Sequence, residues 1–193
     1  MKVLWLHYYK QWIIVGGSKP ATNLTVKYYG VSGSSLQLLT ARPIQFSGYL
    51  ISWKFYHVPD SMSCDSYAAI WREETNSNNT IQYRLVNQSE TLLTPGSQSG
   101  VYNTPIQDRV VRVKQGDFVS IHVDRGPRTD CKNRVSFRNN VGEDPMATVY
   151  HFISHPVPPV LPTDGSEVMS SAKRGVAIQA YVEGKSIVEF RIP

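Results

Sequence analysis

The sequence predicts an all-β protein: a two-sheet antiparallel β-sandwich of jelly-roll or Greek-key type, with about ten or more short strands and little helix. Three observations lead there. From Asn23 onward, apolar and polar residues alternate with a period of two, the repeat of a strand with one buried face. The aromatic supply of 11 Tyr, 6 Phe and 4 Trp suits pleated sheet better than helix. Twelve Pro and 13 Gly interrupt the chain too often for long helices. A closed barrel is the alternative arrangement of the same strands.

The 193 residues are expected to form a single β-sandwich domain, 1–193. The opening segment, MKVLWLHYYKQWIIVGG, has the apolar content of a leader peptide. However, His7, Lys10 and Gln11 interrupt it, and no small-x-small site follows. It reads instead as a strand within an N-terminal extension, residues 1–22. LTVKYYG reads as a strand ending at Gly30, GVSGSS as a turn, and LQLL as the next strand. In GYLISWKFYH, unbroken alternation puts Tyr49, Ile51, Trp53 and Phe55 on a core face. Leu50, Ser52, Lys54 and Tyr56 then share the half-wet face.

YAAIWRE and TIQYRLV form a predicted hairpin across ETNSNN, and TLL stops at Pro95 and Gly96. SGVYNTP is expected to be a loop. RVVRV and FVSIHV are joined by KQGD, where Gly116 suits a positive φ. RVSF and ATVYHFI follow as strands. HPVPPVLPTDGS holds Pro156, Pro158, Pro159 and Pro162, and predicts a stiff Pro-rich crossover loop over 156–174. TDGSEVMSSAKR within it suits one helical turn. GVAIQAYVE and SIVEFRI predict a last hairpin about Glu183, Gly184 and Lys185. No internal repeat or heptad pattern is present.

Charged residues make up 18% of the chain, too few for long disorder. The net charge of +5 favours anionic partners, but it is mild beside that of a dedicated nucleic-acid binder. Cys64 and Cys131 are the only cysteines, and neither has a CxxC neighbour, which argues against a zinc knuckle. Paired, they would close a loop of about 67 residues and contribute on the order of 4 kcal/mol. Asn23, Asn78 and Asn87 each head an N-x-S/T sequon in or beside a predicted turn, where a glycan is tolerated. A disulfide together with three sequons points to an extracellular, secreted glycoprotein. No segment reaches eighteen consecutive apolar residues, so no membrane span is expected.

Residue types that carry chemistry are scattered. Ser120, His122 and Asp124 share one strand face, which suggests a catalytic triad. Neighbours on such a face lie roughly 6.6 Å apart and project in parallel, whereas a triad converges from separate elements. The face therefore reads as polar surface. His151 and His155 would span roughly 13 Å on a strand, too far apart to share a metal ion. Asp117, Asp124, Asp130 and Asp144, with Asn139 and Asn140, lack the spacing of a calcium loop. Glu73, Glu74 and Glu143 are the carboxylates available to a glycosidase, which needs two facing across a cleft. There is no GxSxG, P-loop or dinucleotide fingerprint. No catalytic residue, metal or cofactor is assigned.

The stronger signal is RGPRTDCKNRVSFR. Arg125, Arg128, Lys132, Arg134 and Arg138 fall within fourteen residues, opposed only by Asp130. Forked arginine contacts would let this loop hold sulfate or carboxylate groups. Trp53 is expected in the core; Trp71 stands near a strand end, where a surface position is the alternative to the commoner core placement of large aromatics; and Tyr102 is expected on a surface loop as a candidate sugar contact. GYLISWKFY, YAAIWRE and VKQGDFVSIHV resemble stretches of extracellular β-sandwich modules of multidomain surface proteins.

The expected function is a non-enzymatic module that binds extracellular proteins or acidic glycans, in adhesion, recognition or matrix. Nucleic acid is not an expected partner. One alternative is a structural subunit of a homo- or hetero-oligomeric secreted or viral assembly, joined through the aromatic first strand. Another is a jelly-roll polysaccharide hydrolase or lyase.

Overall fold

A computed structural model describes residues 5–13, 34–40, 43–57, 64–106, 110–124, 137–139, 147–152, 160–161, 167–172, 174–176 and 178–188. Every regular element among them is a strand. In chain order these are β1 (Trp5–Ile13), β2 (Ser34–Leu38), β3 (Gly48–His57), β4 (Asp65–Thr75), β5 (Ile81–Leu85), β6 (Thr91–Leu92), β7 (Gly100–Pro105) and β8 (Val111–Val113). They continue as β9 (Phe118–Asp124), β10 (Phe137–Asn139), β11 (Ala147–Phe152), β12 (Val160–Leu161), β13 (Glu167–Ala172), β14 (Arg174–Val176) and β15 (Ile178–Val188). The pairings are antiparallel and give two larger sheets. The five-stranded sheet runs β1-β15-β3-β7, with β8 also on β3. The eight-stranded sheet runs β12-β5-β4-β9-β2-β11-β13, with β6 on β4. β10 and β14 form a separate pair.

One apolar core draws on both larger sheets. Leu50, Trp53 and Phe55 of β3, with Val111, Val113, Ala180 and Val182, meet Ala68 and Ile70 of β4 and Val119, Ile121 and Val123 of β9. Trp53 is fully buried, as the sequence predicts. Burial of a side chain of this kind contributes about 2–3 kcal/mol. A second cluster joins Leu36, Leu38, Ala69, Trp71, Phe118 and Leu161. By the two-residue period it occupies the opposite face of the eight-stranded sheet. Consequently β9 is buried along both faces up to Asp124.

The turns follow local chemistry. β4 and β5 form the expected hairpin, with Thr75 opposite Ile81. Asn76 Oδ1 accepts from the N–H groups of Asn78 and Thr80, both at 2.9 Å, and Asn79 takes φ 58°. This is the asparagine-led turn chemistry that a short loop needs. Between β8 and β9, Gly116 takes φ 91°, as predicted. β8 pairs with β3, whereas β9 pairs with β4 and β2, so this turn carries the chain from one sheet to the other.

Several expectations are corrected. Unbroken alternation along β3 fails at Ile51. Ser52 is opposite Tyr181 and Leu50 is opposite Val182, so Ile51 has no partner on β15. The extra residue is a β-bulge that shifts the phase. Leu50, Trp53 and Phe55 turn inward, and Tyr49 and Ile51 outward. The Ile51 carbonyl accepts from Ile106 N–H at 2.8 Å, where the neighbour of β3 changes from β8 to β7.

The predicted hairpin at residues 183–185 is absent. β15 runs straight through, because Gly184 serves close approach rather than a turn. A Cβ there would lie 2.6 Å from the Phe46 ring and 2.9 Å from Ser47 O. The stretch 156–174 is not wholly a crossover loop. Val160–Leu161 pair with β5 at the sheet edge, where neighbouring prolines are tolerated. Residues 167–172, expected to hold a helical turn, form β13 on β11. SGVYNTP is likewise a strand, β7, on β3.

Candidate functional site

The face of β9 that carries Ser120, His122 and Asp124 is not polar surface. Ser120 is fully buried, and its hydroxyl accepts from Trp71 Nε1–H at 2.7 Å. Trp71 is fully buried, opposite Phe118, so of its two placements the core is the one it takes. His122 is 3% exposed, stacked on Tyr67 with ring centroids 5.7 Å apart, and its Nδ1 lies 3.1 Å from Glu90 Oε1. Burial, then the nearby carboxylates of Asp65, Asp124 and Glu90, raise the Tyr67 hydroxyl above its ordinary pKa of 10.0. The strand period brings these groups onto one face, where Ser120 and His122 are buried against protein partners and Asp124, at the end of β9, is partly exposed.

Asp117 is a heavily engaged carboxylate. It is 1% exposed, and Oδ1 and Oδ2 accept from Arg72 Nε–H and Nη2–H, each at 2.8 Å. Oδ2 also accepts from Lys114 N–H at 2.7 Å. The hydrogen bond that Arg72 donates to Asp117 is the main cause that raises Arg72 above the usual arginine value. The backbone of the same turn is tied to Ile44 in both directions, Ile44 N–H to Asp117 O and Gly116 N–H to Ile44 O. This is a clamp at the point where the chain changes sheets. Of the glutamates considered for glycosidase chemistry, Glu74 accepts from exposed Arg84 at 2.7 Å and Glu73 is exposed. Glu143 lies outside the described residues. Among the described residues, no group of three or more His, Cys, Asp or Glu side chains could hold a metal ion. No helix there is long and apolar enough to cross a membrane.

Tyr102 lies on a strand, not on the expected loop. It is half-buried on β7, with its ring 6.0 Å from Phe55 and 5.8 Å from His57, and its hydroxyl donates to Gln98 O at 2.6 Å. Arg125, Arg128, Lys132 and Arg134 lie outside the described residues, and Arg138 is placed only by its backbone, opposite Gly175. Cys64 is buried in the main core and carries no free thiol. Its expected partner, Cys131, lies outside the described residues, as do Asn23 and His155.

Asn78 and Asn87 are both exposed, at turns on either side of β5. Ser89, the third residue of the second sequon, is fully buried. Its hydroxyl donates to Ile70 O at 3.1 Å and accepts from Ile70 N–H at 3.2 Å.

The outward face of the five-stranded sheet escaped the sequence reading because the bulge reassigned it. Across three strands, Glu183, Tyr49 and Arg112 stand in register, with Tyr49 47% exposed. Further along, Gln179, Lys54 and Asn103 form a second row. Half-buried Tyr181 is opposite Ser52, and half-buried Tyr56 is opposite exposed Val101. A phase break after Ile51 was the signal needed, and alternation alone does not supply it. In comparisons with known proteins, the chain matches no family model, no curated protein and no solved structure.

Proposed function

We propose that the chain is a non-enzymatic extracellular recognition module, a jelly-roll β-sandwich that binds acidic glycans or extracellular proteins. The observation that carries this reading is the engagement of its reactive residue types in packing. Ser120 is bonded to Trp71, His122 is held by Tyr67 and Glu90, and Asp117 is clamped by Arg72. A nucleophile or general base must reach a substrate atom at hydrogen-bond distance, and each of these groups lies instead within that distance of a separate protein partner.

The shared core of the two larger sheets supports the sandwich. The exposure of Asn78 and Asn87 supports glycosylation, and the absence of a free thiol on Cys64 supports pairing with Cys131 in an oxidising compartment. On this reading Arg125, Arg128, Lys132, Arg134 and Arg138 grip the anions.

The test is retention of the full chain on immobilised heparin. The expected result is elution only above physiological salt, with earlier elution after these five residues are changed to glutamate. No retention at low salt would remove the acidic-glycan reading.

A further inference from the structure

We infer that Asn87 accepts its glycan only before the chain folds, so that its occupancy records the order of glycosylation and folding. This rests on the glycosylation that accompanies the secretory reading above and adds a condition to it. Transfer joins Asn87 Nδ2 to the anomeric carbon of a lipid diphosphate-linked oligosaccharide. The bond from that carbon to the diphosphate oxygen breaks, the lipid diphosphate leaves, and the amide gives one proton to the transferase's base. The enzyme takes asparagine in N-x-S/T, so it must also reach the hydroxyl of the third residue. At Asn87 that residue is Ser89.

The folded chain withholds that hydroxyl. Asn87 and Gln88 are exposed, but Ser89 is fully buried, with its Oγ bonded as donor to Ile70 O and as acceptor to Ile70 N–H. The backbone reinforces this seat. Ser89 N–H donates to Val86 O at 3.0 Å, and Val86 N–H donates to Ile70 O at 2.8 Å. Gln88, between the asparagine and the serine, holds φ 58°, a left-handed conformation uncommon outside glycine. The burial has a positional cause. Along one edge of β4, β5 ends at Leu85, opposite Trp71, and β6 begins at Thr91, opposite Ala68. Ile70 falls in the gap between them, and the Ser89 side chain supplies the bonds that a paired strand would.

Asn78 offers the contrast. Its sequon ends at Thr80 in the β4–β5 loop, and both residues are exposed. Folding therefore closes one sequon and leaves the other open. Because Asn87 itself is exposed, a glycan attached earlier is accommodated by the finished fold.

The experiment is cell-free synthesis of the full chain with purified oligosaccharyltransferase and its lipid-linked donor, added either during translation or after folding. A short N-x-T peptide in each reaction reports that the enzyme is active, and peptide mass gives the occupancy of each site. Enzyme present during synthesis is expected to modify both Asn78 and Asn87. Enzyme added late should modify Asn78 alone, and the ratio of Asn87 to Asn78 occupancy should fall roughly a hundredfold, the rarity of a state that has opened two buried hydrogen bonds.

An unchanged ratio overturns the inference and leaves the glycosylation reading standing. Either Asn87 is then modified late as readily as early, or both sites are refused alike and Ser89 is not the cause. An Asn87 that stays bare with the enzyme present throughout synthesis, while the peptide is modified, also overturns the inference. If Asn78 is bare there as well, the glycosylation reading beneath it falls too.

Discussion

Replacing Asp117 with alanine is the most informative perturbation of the fold. The substitution removes both bonds to Arg72 and the bond from Lys114 N–H. Breaking a buried ion pair by deleting one partner costs roughly 3–5 kcal/mol. Here the stranded cation is Arg72, whose side chain is 31% exposed and so recovers part of its hydration. The lost backbone partner adds about 1 kcal/mol. Together these set the loss near 3 kcal/mol. With a urea m-value of about 2 kcal/mol/M, the unfolding midpoint should fall by about 1.5 M. Asp117→Asn keeps an acceptor but no charge, and should lose roughly half as much. In a double-mutant cycle with Arg72→Met, the pair should show a coupling above about 1 kcal/mol. A loss below about 1 kcal/mol for Asp117→Ala, with no coupling to Arg72, would refute the clamp.

Further outcomes follow from other contacts. Ser120→Ala leaves the buried Trp71 Nε1–H without its acceptor and should cost about 2 kcal/mol in denaturant melts, with glycan binding unchanged. Gly48→Ala drives a Cβ onto the Glu183 carbonyl and should cost about 3 kcal/mol. Gly100→Ala meets only Tyr102 Cε2 at 4.0 Å and should be within about 0.5 kcal/mol of wild type. Asn87→Gln should remove a glycan without changing stability, whereas Ser89→Ala should remove the same glycan and about 1.5 kcal/mol, measured by mass and by melt. Burial, the leading cause, raises both Tyr67 and Tyr83 above 10.0, so the unfolded chain loses these protons first. Stability should therefore fall as pH rises above about 10, and less steeply in Tyr67→Phe. A pH-independent melt across that range would contradict this.

The all-β class was legible because the longer strands announce themselves by alternation or by a turn residue, whereas β7, β12 and β13 do not. Gly116 takes the positive φ expected of it, and the hairpin across ETNSNN forms as expected. Residues doing something other than their commonest job misled the reading. The bulge at Ile51 inverted a face, and it depends on a change of neighbour from β8 to β7 that no local pattern encodes. Gly184 looked like a turn but makes room for Phe46. Ser120 and His122 looked solvent-facing because a strand buried on both sides can carry polar residues, provided each finds a partner. The basic residues were legible as a charge cluster, yet only Arg138 falls among the described residues.

The central claim, that this is a secreted recognition module, is tested most directly by intact mass. The chain would be expressed through a eukaryotic secretory pathway and alkylated with and without prior reduction, before and after removal of N-linked glycans. The account predicts no alkylation without reduction, two alkylated cysteines after it, and a mass decrease on glycan removal that maps to Asn23, Asn78 and Asn87. Two thiols that react without reduction, on a chain bearing no glycan, would contradict it.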